Sequence, residues 1–301
     1  MKIRGRSRSL LIGGSKAYDF QESAFGRFLG REVVNTPFGE SAPVSLFEKE
    51  GFEYYFISRH GEGGYNLSAP FVNYQANIFG AKLLGVERVI SWSGPGIIDE
   101  SLSPGTFLLP DDLIDFTKGR KSTFFAGTGL GFVRQSPLFC PTLGEMLTGA
   151  AEMTGRETVK GGTYVCTEGP RLETAAEIRM FWKWGGNVVG MTVVPEVFLS
   201  KELEICYHPI CYLTNFAEGV KDLPYREGVL FEGTLPDVMA GEVEEAKEGL
   251  PGICLAALKE ADGIERSCPC SVSMKRYKGE KWGNEGITDW IRKIVDGYER
   301  G

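Results

Sequence analysis

The sequence predicts an α/β fold, with a mixed, mostly parallel central sheet flanked by helices. Two features predict it: short apolar runs rich in β-formers alternate with stretches whose apolar residues recur at helical spacing, and most of both kinds, four of the five strand runs and three of the four helical ones, stop at Gly, Ser or Pro turn chemistry. Residues 9–14 (SLLIGG) form the first run. A basic start precedes it, but the run is only strand-long and enters Gly-Gly without a cleavage-like site, which is the pattern of a first strand and not of a signal peptide. Residues 53–61 (EYYFISRHG), 87–96 (ERVISWSGPG), 162–170 (GTYVCTEGP) and 204–216 (EICYHPICYLTNF) are further strands. Residues 71–85, 142–155, 174–186 and 195–205 are the helices between them, the first three ending at glycine. From Asp237 onward the chain reads as helices packed on the sheet, and residues 1–301 read as one domain.

With 42% hydrophobic and 24% charged residues in 301, the composition is that of an ordinary soluble protein, and no apolar stretch is long enough to span a bilayer. A net charge of −7 argues against a protein that grips nucleic acid through its phosphates. A single small anion needs only a few well-placed donors, which an acidic chain can supply locally. The seven cysteines, without a secretion signal, are expected to be reduced thiols in the cytoplasm. Cys268-Pro-Cys270 is too short to hold a metal alone, and no second cysteine pair or histidine cluster at zinc spacing accompanies it, so no metal and no cofactor are expected.

Three strand ends carry the same kind of loop: Gly13-Gly14-Ser15, Ser58-Arg59-His60-Gly61 and Ser93-Gly94-Pro95-Gly96. Glycine lets backbone N–H groups turn toward one point, a hydroxyl adds a donor, and a guanidinium adds a planar fork matched to phosphate oxygens. Together they would make an anion cradle at the carboxyl edge of a sheet, where ligands of α/β proteins sit.

These segments, in order, resemble the methylthioadenosine phosphorylase and trimeric purine nucleoside phosphorylase family. The residues that carry the resemblance are IGGS near the start, NTPFG (35–39), RHG (59–61), VNYQANI (72–78), SPG (103–105), FCP (139–141), TEGPRLET (167–174), the run 176–196 through GMTVVPE, and ICYHPICYLTN (205–215). It extends from about residue 10 to about 220. The resemblance implies a single nucleoside phosphorylase domain assembled as trimers or hexamers, with purine nucleoside and inorganic phosphate as co-substrates. It further implies that Ser15, Arg59, His60, Ser93 and Thr192 hold the phosphate, with Asn215 and His60 as the catalytic residues. Gly94, Leu172, Glu173, Met191, Asn215 and Ala217 border the nucleoside.

Departures from the family pattern refine the reading. Members preferring 6-amino purines carry Asp at the place of Asn215 and a second Asp at the place of Ala217, so this chain points to a 6-oxopurine, since an amide can donate to O6. Members that use ordinary ribonucleosides bind the 5′-hydroxyl through a histidine beyond the Asn strand, and the two histidines here, His60 and His208, both precede it. Leu223, Tyr225, Val229 and Leu230 offer an apolar lining instead, suited to a 5′-methylthio group. The expected activity is phosphorolysis of methylthioinosine or methylthioadenosine, with a general inosine/guanosine phosphorylase as the alternative. Lys16 stands where a glycine is usual, the second histidine after Arg-His-Gly is absent with Tyr65 or Asn66 in its region, and Leu172 replaces a stacking aromatic. Those changes fit a second alternative, a ligand-binding protein with weakened turnover. The CPC segment resembles a tail motif of members from hot environments, in which Cys140, Cys206 and Cys211 would be further candidates for bridges. His208, in an apolar strand, reads as structural.

Overall fold

The apolar runs pair side by side, because their buried backbone N–H and C=O groups find partners on neighbouring strands. The computed structural model describes residues 3–222, 227–230, 235–278 and 290–291. Along the chain the strands are β1 (Ser9–Gly13), β2 (Arg27–Glu32), β3 (Asn35–Thr36), β4 (Gly39–Glu40), β5 (Val44–Lys49), β6 (Phe52–Ser58), β7 (Arg88–Ser93), β8 (Gly96–Ile97), β9 (Phe107–Leu109), β10 (Asp112–Phe116), β11 (Thr158–Lys160), β12 (Thr163–Thr167), β13 (Val188–Gly190), β14 (Cys206–Tyr212) and β15 (Asn215–Phe216). The helices are α1 (Glu22–Phe25), α2 (Tyr74–Leu83), α3 (Pro141–Glu152), α4 (Ala175–Lys183), α5 (Glu196–Glu202) and α6 (Asp237–Asp262).

One sheet of eight strands has the order β11-β9-β14-β7-β1-β6-β5-β2, and a second of five has the order β10-β12-β13-β8-β15. In the centre of the first, β14, β7, β1 and β6 run parallel, with Gly13 opposite Ser58 and Cys211 opposite Ser93. The loops that follow these four strands therefore leave the same edge side by side. Two of the strands then pass into the second sheet: β7 breaks at Gly94-Pro95 and resumes as β8, and β14 breaks at Leu213-Thr214 and resumes as β15, with Asn215 opposite Gly96. The cleft described below lies where the chain changes sheets.

The helices have local causes. Asn73 caps α2, its side chain accepting from the Ala76 N–H at 3.1 Å, so the helix starts at Tyr74 and the preceding Ala69–Phe71 forms a separate 3-10 turn. Thr174 and Glu177 form a reciprocal capping box at the start of α4, whose Ile178 and Phe181 face inward. The whole of α6 is one helix that continues through Pro251 and buries Leu250, Ile253, Cys254 and Leu258 against the sheet. The helix expected near the C-terminus and the expected apolar residues Leu223 and Tyr225 lie outside the described residues, apart from Trp290 and Ile291. Among the described residues no helix is long and apolar enough to cross a membrane.

Candidate active site

Gly14 and Ser15 follow β1, and their turn is held from below. The Trp92 indole and the Tyr212 hydroxyl both donate to the Ser15 carbonyl, at 3.3 and 3.4 Å. A Cβ on Gly14 would lie 2.1 Å from the Trp92 carbonyl oxygen and 2.8 Å from Arg59 Nη1, so only glycine fits. Lys16 adopts the left-handed conformation, φ 66°, that a glycine would take without strain, and the tight turn closes with the Ala17 N–H on the Gly14 carbonyl at 3.1 Å. The substitution leaves Lys16 half exposed beside Asp19, at 3.9 Å.

Arg59 is 1% exposed and lies directly behind this turn. It forms a fork on Glu196, Nε to Oε1 at 2.6 Å and Nη2 to Oε2 at 2.9 Å, while Nη1 donates to the Trp92 carbonyl at 3.3 Å. Burial works against its charge, but the Glu196 carboxylate outweighs that and raises the guanidinium's pKa above its ordinary value. His60, fully buried, places Nδ1 2.8 Å from the Leu67 carbonyl, which assigns the proton to Nδ1 and leaves Nε2 as an acceptor without a partner among the described residues. Burial first, then the nearby Arg59 charge, lowers its pKa to about 4, so the ring is neutral at physiological pH. Tyr65 stacks on it with centroids 4.4 Å apart, in the region where the sequence lacks the family's second histidine.

Ser93 and Thr192 complete the polar end, with their hydroxyls 3.2 Å apart and the Tyr164 hydroxyl 3.0 Å from Ser93 Oγ. Tyr164 is fully buried, and burial pushes its pKa well above the ordinary phenol value, so it keeps its proton. A Cβ on Gly190 would fall 1.9 Å from that hydroxyl, which explains the glycine before Met191.

The other end of the cleft comes from the second sheet. Asn215 lies at the start of β15, its Oδ1 accepting from Thr214 Oγ1 at 2.6 Å and its Nδ2 donating to the Phe216 carbonyl at 2.9 Å. Those two contacts fix which way the amide faces, and each atom retains capacity for one more bond. Glu173 accepts from Thr167 Oγ1 at 2.5 Å through one oxygen, which leaves the second oxygen for another donor. Leu172 stands at the rim, 41% exposed.

Of the residues nominated from the sequence, Ser15, Ser93, Gly94 and Thr192 border one cleft together with Leu172, Glu173, Met191, Asn215 and Ala217. Arg59 and His60 are buried and do not border it. Leu230 and Tyr65 border the cleft as well, whereas His208 does not. His208 is buried on β14, its Nδ1 2.8 Å from the Pro209 carbonyl and its ring 5.4 Å from Phe139.

A model of the phosphorylase superfamily matches residues 11–232. The chain belongs to that superfamily. It is 37% identical over 265 residues to the probable S-methyl-5′-thioinosine phosphorylase of Methanothermobacter thermautotrophicus, covering 88% of each chain. It is 38% identical over 284 residues to the probable 6-oxopurine nucleoside phosphorylase of Thermococcus kodakarensis, covering 91% of this chain and 99% of that one. Among solved structures, a methylthioadenosine phosphorylase sourced from an antarctic soil metagenomic library matches with a TM-score of 0.79 at 27% identity, covering 94% of this chain and 96% of that chain. As a member of the superfamily the protein is an enzyme, a pentosyltransferase.

Two buried charges of this phosphorylase were not singled out from sequence. Glu196 opens α5 and neutralises Arg59, and also accepts from the Tyr207 hydroxyl at 2.8 Å. Arg120 donates to the carbonyls of Thr167, Glu168, Met191 and Val194, which ties the ends of β12 and β13 together under the cleft. Arg120 sits in a basic loop that reads as solvated surface, and Glu196, although it ends the GMTVVPE run, reads there as a helix N-terminal carboxylate. One cysteine expectation also changes. The pair missing beside Cys268 and Cys270 is supplied in space by Cys140 and Cys206, far from both in sequence, whereas Cys211 lies outside the group and none of the seven is in a disulfide.

Proposed function

We propose that the protein cleaves the N-glycosidic bond of a 5′-methylthio-6-oxopurine nucleoside, of the methylthioinosine class, with inorganic phosphate, giving free purine and 5-methylthioribose 1-phosphate. The observation that carries this reading is the polarity of one cleft: hydroxyls backed by Arg59 at one end, and at the other an amide beside a carboxylate acceptor. A 6-oxopurine presents an N1–H and an O6 acceptor. Glu173 accepts the former and the Asn215 amide donates to O6 or N7, whereas the bare N1 of an adenine would face the carboxylate with two acceptors opposed, at about 1–3 kcal/mol.

Phosphate is held by Ser15, Ser93 and Thr192, with the buried Arg59–Glu196 pair bracing the Ser15 turn from behind. Its oxygen forms the new bond to C1′ as the C1′–N9 pair departs with the purine. The anion stabilises oxocarbenium character on the sugar, and the Asn215 N–H stabilises the negative charge that gathers at N7 and O6. His60, neutral with its proton on Nδ1, is buried behind this end and acts through Tyr65, which stacks on it and borders the cleft. On the sugar side, Met191 and Leu230 give the 5′-substituent an apolar border and no histidine is at hand, which favours methylthio over hydroxyl. The relatives named as S-methyl-5′-thioinosine and 6-oxopurine nucleoside phosphorylases support the same base. The active assembly is a homotrimer or a pair of trimers, as the family resemblance implies.

Incubation with methylthioinosine, methylthioadenosine, inosine and adenosine, with and without phosphate, tests the reading by release of free base. Phosphate-dependent release fastest from methylthioinosine is expected. Release without phosphate would make the enzyme a hydrolase, preference for inosine would restore the general 6-oxopurine reading, and no release from any of the four would leave a binding protein.

A further inference from the structure

We propose that Cys140, Cys206, Cys268 and Cys270 form a closed tetrathiolate site for zinc, separate from the cleft, that fastens the chain after α6 to the central sheet. The four sulfurs lie within 4.8 Å of one another and all four residues are buried. Four thiolates around zinc at about 2.3 Å form a tetrahedron with edges of about 3.8 Å. The Cys206 and Cys268 sulfurs are 3.3 Å apart, close to such an edge and far beyond the ~2.05 Å of a disulfide.

The ligands come from three places. Cys140 is the residue before α3, and its N–H donates to the Tyr207 carbonyl at 2.9 Å, which fixes it beside the first residue of β14, Cys206. Cys268 and Cys270 flank Pro269 at the start of a 3-10 turn, a chelate presented by one tight bend. Beyond it the chain continues to Met274 and Tyr277, both in the core. A tetrathiolate carries two negative charges in excess of zinc, and Arg266, which lines one small pocket with Cys140, Cys206 and Cys268, brings a positive charge beside them. The soft, four-sulfur donor set with no open position is that of a structural zinc site and leaves no place for a substrate.

The test uses the full chain, purified under reductant without added chelator. Elemental analysis should find about one zinc per chain, released as an organomercurial is titrated to four equivalents. The double variant Cys268→Ser/Cys270→Ser should lose the zinc. Cys211→Ser, a buried cysteine outside the group, should keep it, so a folding defect common to cysteine loss is distinguished from loss of ligands. Stripping zinc from the native enzyme should lower its melting temperature, and adding zinc back should restore it. Native protein that stays zinc-free after incubation with zinc and reductant would overturn the proposal. So would an intact mass four hydrogens light, the mark of two disulfides, or iron at these sulfurs in place of zinc.

Discussion

The two ends of one strand do different work in this protein. At its start, Cys206 joins three other thiols in a closed, buried group. At its far end β14 passes through Thr214 to Asn215, in a cleft open to small molecules. The first end has its polar atoms turned on one another and suits an ion that stays. The second has polar atoms with capacity to spare, at Asn215 and Glu173, and suits a ligand that comes and goes. Changes at the cysteine end should move stability and leave the chemistry alone, and changes at the cleft should do the reverse.

Arg59→Ala gives the largest expected effect, a fall in phosphate-dependent kcat/KM of about 100-fold, because the Ser15 turn that Arg59 packs behind loses its positioning. This variant also breaks the comparison at one point, because Glu196 is left buried without its partner, at a cost of about 3–5 kcal/mol. The double variant Arg59→Ala/Glu196→Gln should recover most of the stability and none of the phosphate use, as measured by melting and by phosphate titration. Next in size, Asn215→Asp should shift preference toward 6-amino purines, by a factor of about 5–150 in the ratio of kcat/KM values for methylthioadenosine and methylthioinosine, corresponding to about 1–3 kcal/mol. An unchanged ratio would mean that the base is read by another group.

A pH prediction follows from the two histidines, one behind the cleft and one away from it. Burial, chiefly, lowers both His60 and His208 from 6.5 to about 4. The unfolded chain therefore binds more protons than the native one between those values. Their contribution to stability is complete above pH 6.5 and is lost as the pH falls toward 4. Denaturant melts between pH 7 and 4 should show this loss, and His208→Gln should flatten it without altering kcat at neutral pH. The smallest effect is expected at Lys16, whose left-handed backbone costs about 1–2 kcal/mol, partly offset by the greater chain entropy of glycine. Lys16→Gly should raise stability by up to about 1 kcal/mol in chemical denaturation.

The same contrast explains what was legible in the sequence. The strands around the cleft are near-continuous apolar runs, four of them ending in Gly or Ser turn chemistry, so β1, β6, β7, β12 and β14 could be read, and with them the loops bearing Ser15, Arg59 and Ser93. Missed strands have other signatures. The edge strand β2, RFLGRE, is largely exposed and lacks strict alternation, and β9 and β11 are three residues long. The β5–β6 hairpin did carry a signal, Glu50-Gly51, where both residues take positive φ, 52° and 79°, the requirement of a two-residue hairpin turn. Arg120 and Glu196 act through partners remote in the chain, and no local spacing announces that. The cysteine group is the extreme case: the sequence shows no metal-ligand spacing, because Cys140 and Cys206 meet Cys268 and Cys270 only through the order of the sheet and the return of the chain after α6.

A crystal structure of the enzyme in saturating phosphate, with a non-hydrolysable methylthio nucleoside, tests the central claim most directly. One anion is expected within hydrogen-bonding distance of Ser15 Oγ, Ser93 Oγ and Thr192 Oγ1, on the sugar side opposite the base, with the purine between Glu173 and Asn215. A nucleoside bound there with no anion beneath it, or phosphate bound only elsewhere, would contradict the account.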